Sequence, residues 1–311
     1  MSSLEVRSLT KWYGPVCGIE GVSFSLEPGE IFGYLGPNGA GKTTTLRCIM
    51  GLIRPTSGEA RVLGEPVAPG RATQHHRIGY LPGEFRLWPA FRAGCSLQVL
   101  AALAGHDQAK SRRQELAERL ELDLARPVGE LSKGNRQKVA VIYALQHQPE
   151  LLILDEPTSG LDPLVRQTVL ELIREAARQG AAVLLSSHDL PEIESVCGRA
   201  AVLRAGRLVE LGPIANIVEH GEHRLKVWFA DATLAPQVPL DQLPGARVIE
   251  QQPGVLHLAY PGACDAVLRW VTQFRVDRIA TPETSLEEAF IQYYKPASPA
   301  APAGTAPKGA R

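Results

Sequence analysis

The sequence predicts an α/β protein whose larger, first part is built on a mainly parallel sheet, with a small α+β domain behind it. Three observations carry this. Ile31-Phe32-Gly33-Tyr34-Leu35 is a short apolar strand that runs into a glycine-rich loop, Gly36–Gly41, and then a helix. Leu151–Leu154 and Ala181–Leu185 are unbroken apolar runs of the kind buried on both faces of a parallel sheet. The segment between them, 163–178, has a helical pattern, and strand, helix, strand at that spacing is a βαβ unit.

In chain order, Leu4, Val6 and Leu9 alternate with polar neighbours as in a half-buried strand, and Val22–Leu26 forms a second, closed by the Pro28-Gly29 turn. After the strand at 31–35 and its loop, Thr43–Leu52 is helical, with Leu46, Ile49 and Met50 on one side. Residues 96–122 are helical in pattern. Arg112, Arg113 and Arg119 alternate there with Glu115, Glu118 and Glu121, as on a solvated face laced with i, i+3 and i, i+4 pairs. Arg136–His147 is another helix, its buried stripe made by Val139, Ile142, Tyr143 and Leu145. The character changes near 216. Residues 224–230 and 255–259 alternate as strands, and Ala266–Phe274 reads as a helix. The expected organisation is therefore 1–216, a small domain at 217–294, and a Pro/Ala-rich tail at 295–311 too poor in apolar residues to fold.

Composition excludes several classes. The chain has 311 residues, with 33 Lys+Arg against 33 Asp+Glu, so nothing suggests a sequence-independent grip on nucleic acid, and no nucleic-acid partner is expected. No apolar run reaches the ~18 residues needed to span a bilayer, and the first residues lack a secretory pattern, so a cytosolic protein is expected unless a partner holds it at a membrane. Five cysteines, Cys17, Cys48, Cys95, Cys197 and Cys264, form no C-x-x-C pair and read as reduced, mostly buried thiols. His220 and His223 lack a third ligand nearby and read as solvated linker residues; His75 and His76 fit a surface loop.

The chemistry is concentrated in two places. Gly36-Pro37-Asn38-Gly39-Ala40-Gly41-Lys42-Thr43 fits G-x-x-x-x-G-K-[ST] completely, after a strand and before a helix. Glycines let backbone N–H groups curl round a phosphate, and the helix dipole adds partial positive charge. Lys42 supplies a point charge to β- and γ-phosphates, Thr43 offers a hydroxyl to Mg²⁺, and Thr44 donates to the phosphates. The loop alone leaves ATPases, GTPases and kinases open. The second place is Asp155-Glu156, two carboxylates at the C-terminal edge of an apolar strand, where ligands bind in open α/β sheets. Asp155 would hold Mg²⁺; Glu156 would orient or deprotonate an attacking water.

Between these motifs, Leu131-Ser132-Lys133-Gly134-Asn135-Arg136-Gln137 resembles the signature sequence of the ABC-transporter ATPases, and further matching pieces stand in order. Tyr13 matches the aromatic that stacks on adenine, Ser159-Gly160-Leu161-Asp162 the loop after the catalytic glutamate, and His188 the switch histidine at the γ-phosphate. The resemblance covers about residues 2–216. It implies a P-loop NTPase core of the ABC ATPase type, with a parallel sheet, an antiparallel β subdomain and a helical subdomain. It also implies ATP and Mg²⁺ as ligands and a composite site in which Ser132 and Gly134 of a second subunit close over ATP. The chain would then form a homodimer or pair with a similar ATPase chain, with Glu156 and His188 catalytic. Lys133 either adds a cation at that phosphate or points to solvent.

One departure concerns Gly83, in Gly79-Tyr80-Leu81-Pro82-Gly83-Glu84, where the family usually has a glutamine linking Mg²⁺ and water to the membrane partner; no such role carries over. Phe85, Leu87, Trp88, Pro89 and Phe91 follow, a region that in the family takes a helix of the membrane subunit, and Trp88 is the better candidate for exposure. The end of the small domain, Ser285-Leu286-Glu287-Glu288-Ala289-Phe290, resembles the close of bacterial drug and antibiotic exporter ATPases. The leading expectation is an ATP-hydrolysing subunit that powers export through a separate permease, at the cytoplasmic face of the cell membrane. Its rivals are a soluble ABC ATPase acting on ribosomes or DNA, which would carry a second cassette or a coiled-coil insertion, and a nutrient-importer ATPase. Cargo is not legible.

Overall fold

A computed structural model describes residues 2–68, 75–106, 109–219, 223–234, 237–238, 242–243, 245–260 and 264–281. The chain divides into two compact units, Met1–Ile217 and Val218–Arg311. In the first unit, β1 (Leu4–Tyr13) pairs antiparallel with β2 (Val16–Leu26) and β4 (Ser57–Val62), and β5 (Glu65–Pro66) completes a four-stranded sheet. β1 runs four residues beyond the expected strand. Register shifts after Val6 and Leu9, with Ser8 at φ 45°, break the alternation that would have announced its full length.

The second sheet holds the site. It comprises β3 (Ile31–Leu35), β6 (Ile78–Leu81), β7 (Leu151–Asp155), β8 (Ala182–Ser187), β9 (Arg199–Arg204) and β10 (Arg207–Pro213), in the order β10-β9-β3-β8-β7-β6. All pairings are parallel except β9 with β10. β7 and β8 are buried at every position, which is why they read as unbroken apolar runs. The core between this sheet and the antiparallel one includes Leu4, Phe24, Leu46, Ile153 and Leu184, with Phe24 stacked on Phe32 at 5.4 Å.

Among the described residues this unit also has the helices α1 (Lys42–Ile49), α2 (Ala93–Leu103), α3 (Lys110–Arg119), α4 (Lys133–Leu145), α5 (Pro163–Arg178) and α6 (Leu190–Val196). A seventh, α7 (Ile214–Glu219), spans the boundary between the units. The chemistry of the caps is local. Asp162 accepts from the Val165 N–H at 3.0 Å and Pro163 occupies the first turn of α5, whose buried stripe includes Val169, Leu172 and Ile173.

Three expectations about the helices and the thiols need correction. The helical stretch 96–122 is two helices, because the chain leaves α2 through Gly105 at φ 79°. Arg113 is not on a solvated face: it is 7% exposed and its Nε donates to Gln146 Oε1 at 2.8 Å, while Arg119 donates twice to Glu175 on α5 rather than to its own helix. Only Arg112 makes the expected i, i+3 pair, with Glu115. The thiols are all free, yet only Cys48 and Cys197 are buried; Cys17 is half-buried and Cys95 and Cys264 are exposed.

The second unit has an antiparallel sheet ordered β12-β13-β11-β14, from β11 (His223–Phe229), β12 (Arg247–Gln252), β13 (Val255–Tyr260) and β14 (Val276–Ala280). Leu225, Val227 and Phe229 alternate inward with Leu256 and Leu258 and pack on Val267, Trp270 and Val271 of α8 (Asp265–Val271). His223 opens β11 and tilts against Tyr260 at 5.7 Å, so it belongs to a strand rather than a linker. His220, the Ser285–Phe290 segment and the tail at 295–311 lie outside the described residues.

Candidate functional site

β3, β7 and β8 end side by side: the first two lead into one cleft, and β8 brings Ser186 and His188 against its carboxylates. β3 gives way to the loop 36–41, and α1 begins at Lys42 with Gly41 as its N-cap at φ 109°. A Cβ at Gly41 would meet the Gly18 carbonyl at 2.5 Å, so both conformation and space demand glycine there. The cleft measures about 530 Å³ and is lined by Pro37, Asn38, Gly39, Gly41, Lys42, Thr43 and Thr44, together with Asp155, Glu156 and Ser159. Gly36 and Ala40 shape the loop from behind: Gly36 lends its carbonyl to Lys42, and Ala40 is buried, its N–H donating to Pro37 at 3.1 Å.

Lys42 is 5% exposed, and its Nζ donates to the Gly36 and Pro37 carbonyls at 2.5 and 3.3 Å. Burial pulls this ammonium down from the usual lysine range, while Glu156 and Asp155 oppose that shift. Asp155, 2% exposed, is held on both oxygens: Ser186 Oγ donates to Oδ1 at 2.5 Å and Thr43 Oγ1 to Oδ2 at 2.7 Å. Thr43 Oγ1 and Asp155 Oδ2 are hard oxygens at a separation near the ~2.9 Å edge of an octahedron with Mg²⁺-type bonds, so the pair fits Mg²⁺.

Glu156 follows at φ 52°, a left-handed conformation that costs a non-glycine residue roughly 1–2 kcal/mol. The surroundings hold it there. Its N–H donates to the Ser186 carbonyl at 3.1 Å, and Gln137 Nε2 donates to the carbonyls of Glu156 and Pro157 at 3.2 and 2.9 Å. The twist turns the carboxylate so that Oε1 lies 3.0 Å from His188 Nδ1 and 3.5 Å from Lys42 Nζ. Lys42, Thr43, Asp155, Glu156 and His188 are thus one cluster of polar side chains drawn from three strand ends.

Tyr13, Ser132 and Gly134 lie apart from it. Tyr13 is 46% exposed on β1, with its Cε2 2.9 Å from where a Gly18 Cβ would stand, and Gly18 lines the cleft. Ser132 caps α4, accepting from the Asn135 N–H at 3.1 Å, and Gly134 packs against the Gly160 carbonyl; neither lines the cleft. Lys133 lays its aliphatic stem on Gly160. A Cβ at Gly83 would stand 3.1 Å from Asp155 Oδ2, and Glu84 lines the same cleft while pairing with Arg86 at 2.9 Å. Phe85 stacks on Tyr143 of α4 at 5.3 Å, whereas Trp88 and Phe91, 5.7 Å apart, remain 47% and 46% exposed.

Sequence reasoning missed Ser186, Gln137, Val16, Cys17 and Arg47, the last three lining the cleft. Only Ser186, the penultimate residue of a buried strand that pairs with the one ending in two acids, offered a signal. Among the described residues no cluster of three or more His, Cys, Asp or Glu is arranged to hold a metal, and no helix is long and apolar enough to cross a membrane.

Comparison with known proteins adds the following. The family model described as "ABC transporter" matches residues 19–159. A Nod factor export ATP-binding protein I from Paraburkholderia xenovorans is 35% identical over 268 residues, covering 81% of this chain and 88% of that protein. The linearmycin resistance ATP-binding protein LnrL of Bacillus subtilis is 37% identical over 213 residues, 67% of this chain and 68% of its own. Among solved structures, an ATP-binding subunit of an ABC transporter superposes with a TM-score of 0.66 at 33% identity, over 70% of this chain and 92% of that one. A dimeric bacterial ABC transporter cassette shares the fold, with a TM-score of 0.63 at 23% identity over 68% of this chain and 98% of its own.

Proposed function

This chain belongs to the family of ABC transporter ATP-binding proteins, and from that premise we infer how its own residues bind and cleave ATP. It is an ATPase subunit that powers export. The observation that carries the residue-level reading is the convergence of Lys42, Thr43, Asp155, Glu156 and His188 at adjoining strand ends.

Backbone N–H groups of the loop and the start of α1 hold the phosphates, and Lys42 exchanges the Gly36 carbonyl for the β- and γ-phosphate oxygens. Tyr13 stacks on the adenine. Thr43 and Asp155 would hold Mg²⁺, which when bound neutralises charge on the β- and γ-phosphates. Glu156 accepts a proton from the attacking water, which displaces ADP from the γ-phosphorus in line. His188, whose Nδ1 lies beside Glu156, orients the carboxylate, and the far side of its ring meets the γ-phosphate. Ser132 and Gly134 of a second copy, or of a similar chain, close the site with the N-terminus of their helix aimed at the γ-phosphate. A membrane permease docks at the exposed Trp88 and Phe91, which places the protein at the cytoplasmic face of the membrane.

The test is Glu156→Gln at saturating ATP and Mg²⁺, with mass read by light scattering and turnover by phosphate release. The expected result is a stable ATP-bound dimer with turnover down on the order of a hundredfold or more. A monomer under those conditions would refute the composite site, and unchanged turnover would refute the role of Glu156.

A further inference from the structure

Glu192 is a carboxyl placed where carboxyls are expensive. It sits in the first turn of α6, is 4% exposed, and has no cation within salt-bridge reach among the described residues. Its Oε2 accepts two hydrogen bonds, from Thr158 Oγ1 at 2.8 Å and from Ser187 Oγ at 3.1 Å. Its Oε1 is buried with no hydrogen-bond partner among the described residues. Burial, with Asp189 adding to it, pushes the carboxyl up from the usual glutamate range, against the two hydroxyls and Arg166. A buried polar atom left unpaired costs about 1–3 kcal/mol, so a residue serving packing alone would be better replaced by a neutral one.

What the carboxyl touches gives the reason for it. Thr158 lies two residues beyond Glu156, in a turn where the Ser159 N–H donates to the Glu156 carbonyl at 3.2 Å. Ser187 ends β8 and immediately precedes His188. The same hydroxyl accepts from the Asp189 N–H at 3.0 Å, so it also shapes the turn that carries the histidine. One oxygen of Glu192 therefore joins the two segments that carry Glu156 and His188, whose side chains meet 3.0 Å apart. We infer that Glu192 is a positioning residue that fixes the register of Glu156 against His188 by bracing Thr158 to Ser187. This rests on the assignment of Glu156 and His188 to catalysis.

The inference separates turnover from nucleotide binding, because Lys42 and the phosphate loop do not touch the brace. In the full chain, Glu192→Ala should lower kcat on the order of ten- to a hundredfold, the range for a catalytic group displaced by about an ångström, with ATP affinity by calorimetry changed less than about twofold. Glu192→Gln, whose amide oxygen can accept both hydroxyls, should restore kcat to within about threefold. Thr158→Val removes one donor from the other side and should lower kcat in the parent chain but add little to Glu192→Ala. Should Glu192→Ala not fold, Thr158→Val alone carries the test, with the same loss of kcat at unchanged affinity. Unchanged kcat in these variants, or equal losses of kcat and affinity, overturns the inference. Glu156→Gln, run alongside, keeps the two claims distinct: if it abolishes turnover while Glu192→Ala does not, only the brace fails.

Discussion

The two stacked imidazoles of His106 and His147, 4.4 Å between centroids, give a quantitative acid-stability prediction. His147 Nε2 meets the Ile78 carbonyl at 3.2 Å, where α4 ends against β6. Burial, with His106 and then His76 adding like charge, lowers its pKa from 6.5 to about 4, although the Ile78 carbonyl opposes the shift. The sign follows directly. Between these values the unfolded chain takes up a proton that the folded chain refuses, so stability is full above pH 6.5 and is lost as pH falls toward 4. The loss is about 1.4 kcal/mol at pH 5.5 and about 3 kcal/mol by pH 4. His147→Gln keeps a polar side chain at the carbonyl and never takes the proton. Urea unfolding of both proteins from pH 7.5 to 4, followed by circular dichroism, isolates the effect, since acid-labile groups that do not interact with His147 cancel in the difference. Wild type should lose about 3 kcal/mol relative to the variant. Parallel stability curves would refute the claim that His147 is kept neutral by burial.

Three further outcomes follow from the described contacts. Lys42→Ala should weaken ATP binding by at least about tenfold in calorimetry, because a buried cation is replaced by nothing the phosphates can use. Ser186→Ala removes the donor on Asp155 Oδ1 and should raise the Mg²⁺ concentration needed for half-maximal ATP binding by about ten- to a hundredfold, with metal-free nucleotide binding little changed. Arg113→Leu leaves the Gln146 amide oxygen unpaired in the core, costing about 1–3 kcal/mol and lowering the melting temperature by roughly 2–4 °C per kcal/mol, while ATP affinity stays within about twofold.

How much of this the sequence disclosed follows from how far apart in the chain the partners lie. The phosphate loop and the Asp155-Glu156 pair are local strings whose chemistry is written in consecutive residues, and β3, β7 and β8 announce themselves because both faces are buried. Glu192 looks like any helix-surface glutamate, since its partners, Thr158 and Ser187, come from two other segments. Arg113 misled for the same reason: the glutamates spaced around it suit a solvated face, but Gln146, 33 positions away, claims it. Gln137 was quoted within the signature-like segment, yet its hold on the Glu156 and Pro157 carbonyls depends on a left-handed backbone that no residue type there advertises.

The order of strands in the central sheet also bears on how the protein is made. β3, which launches the phosphate loop, has β8 and β9 as its neighbours, and β7 is reached only through β8. Residues 36–44 therefore leave the ribosome long before 182–204 exist to flank them, and closing such a distant pairing is the slow kind of folding step. A nascent or truncated chain ending before β8 carries the complete glycine-rich motif without the sheet that holds it in shape. Nucleotide, which stabilises only what it binds, cannot assist those early stages and rewards the chain only once β8 has inserted. ATP binding in this protein thus also reports that the chain has been made as far as β9.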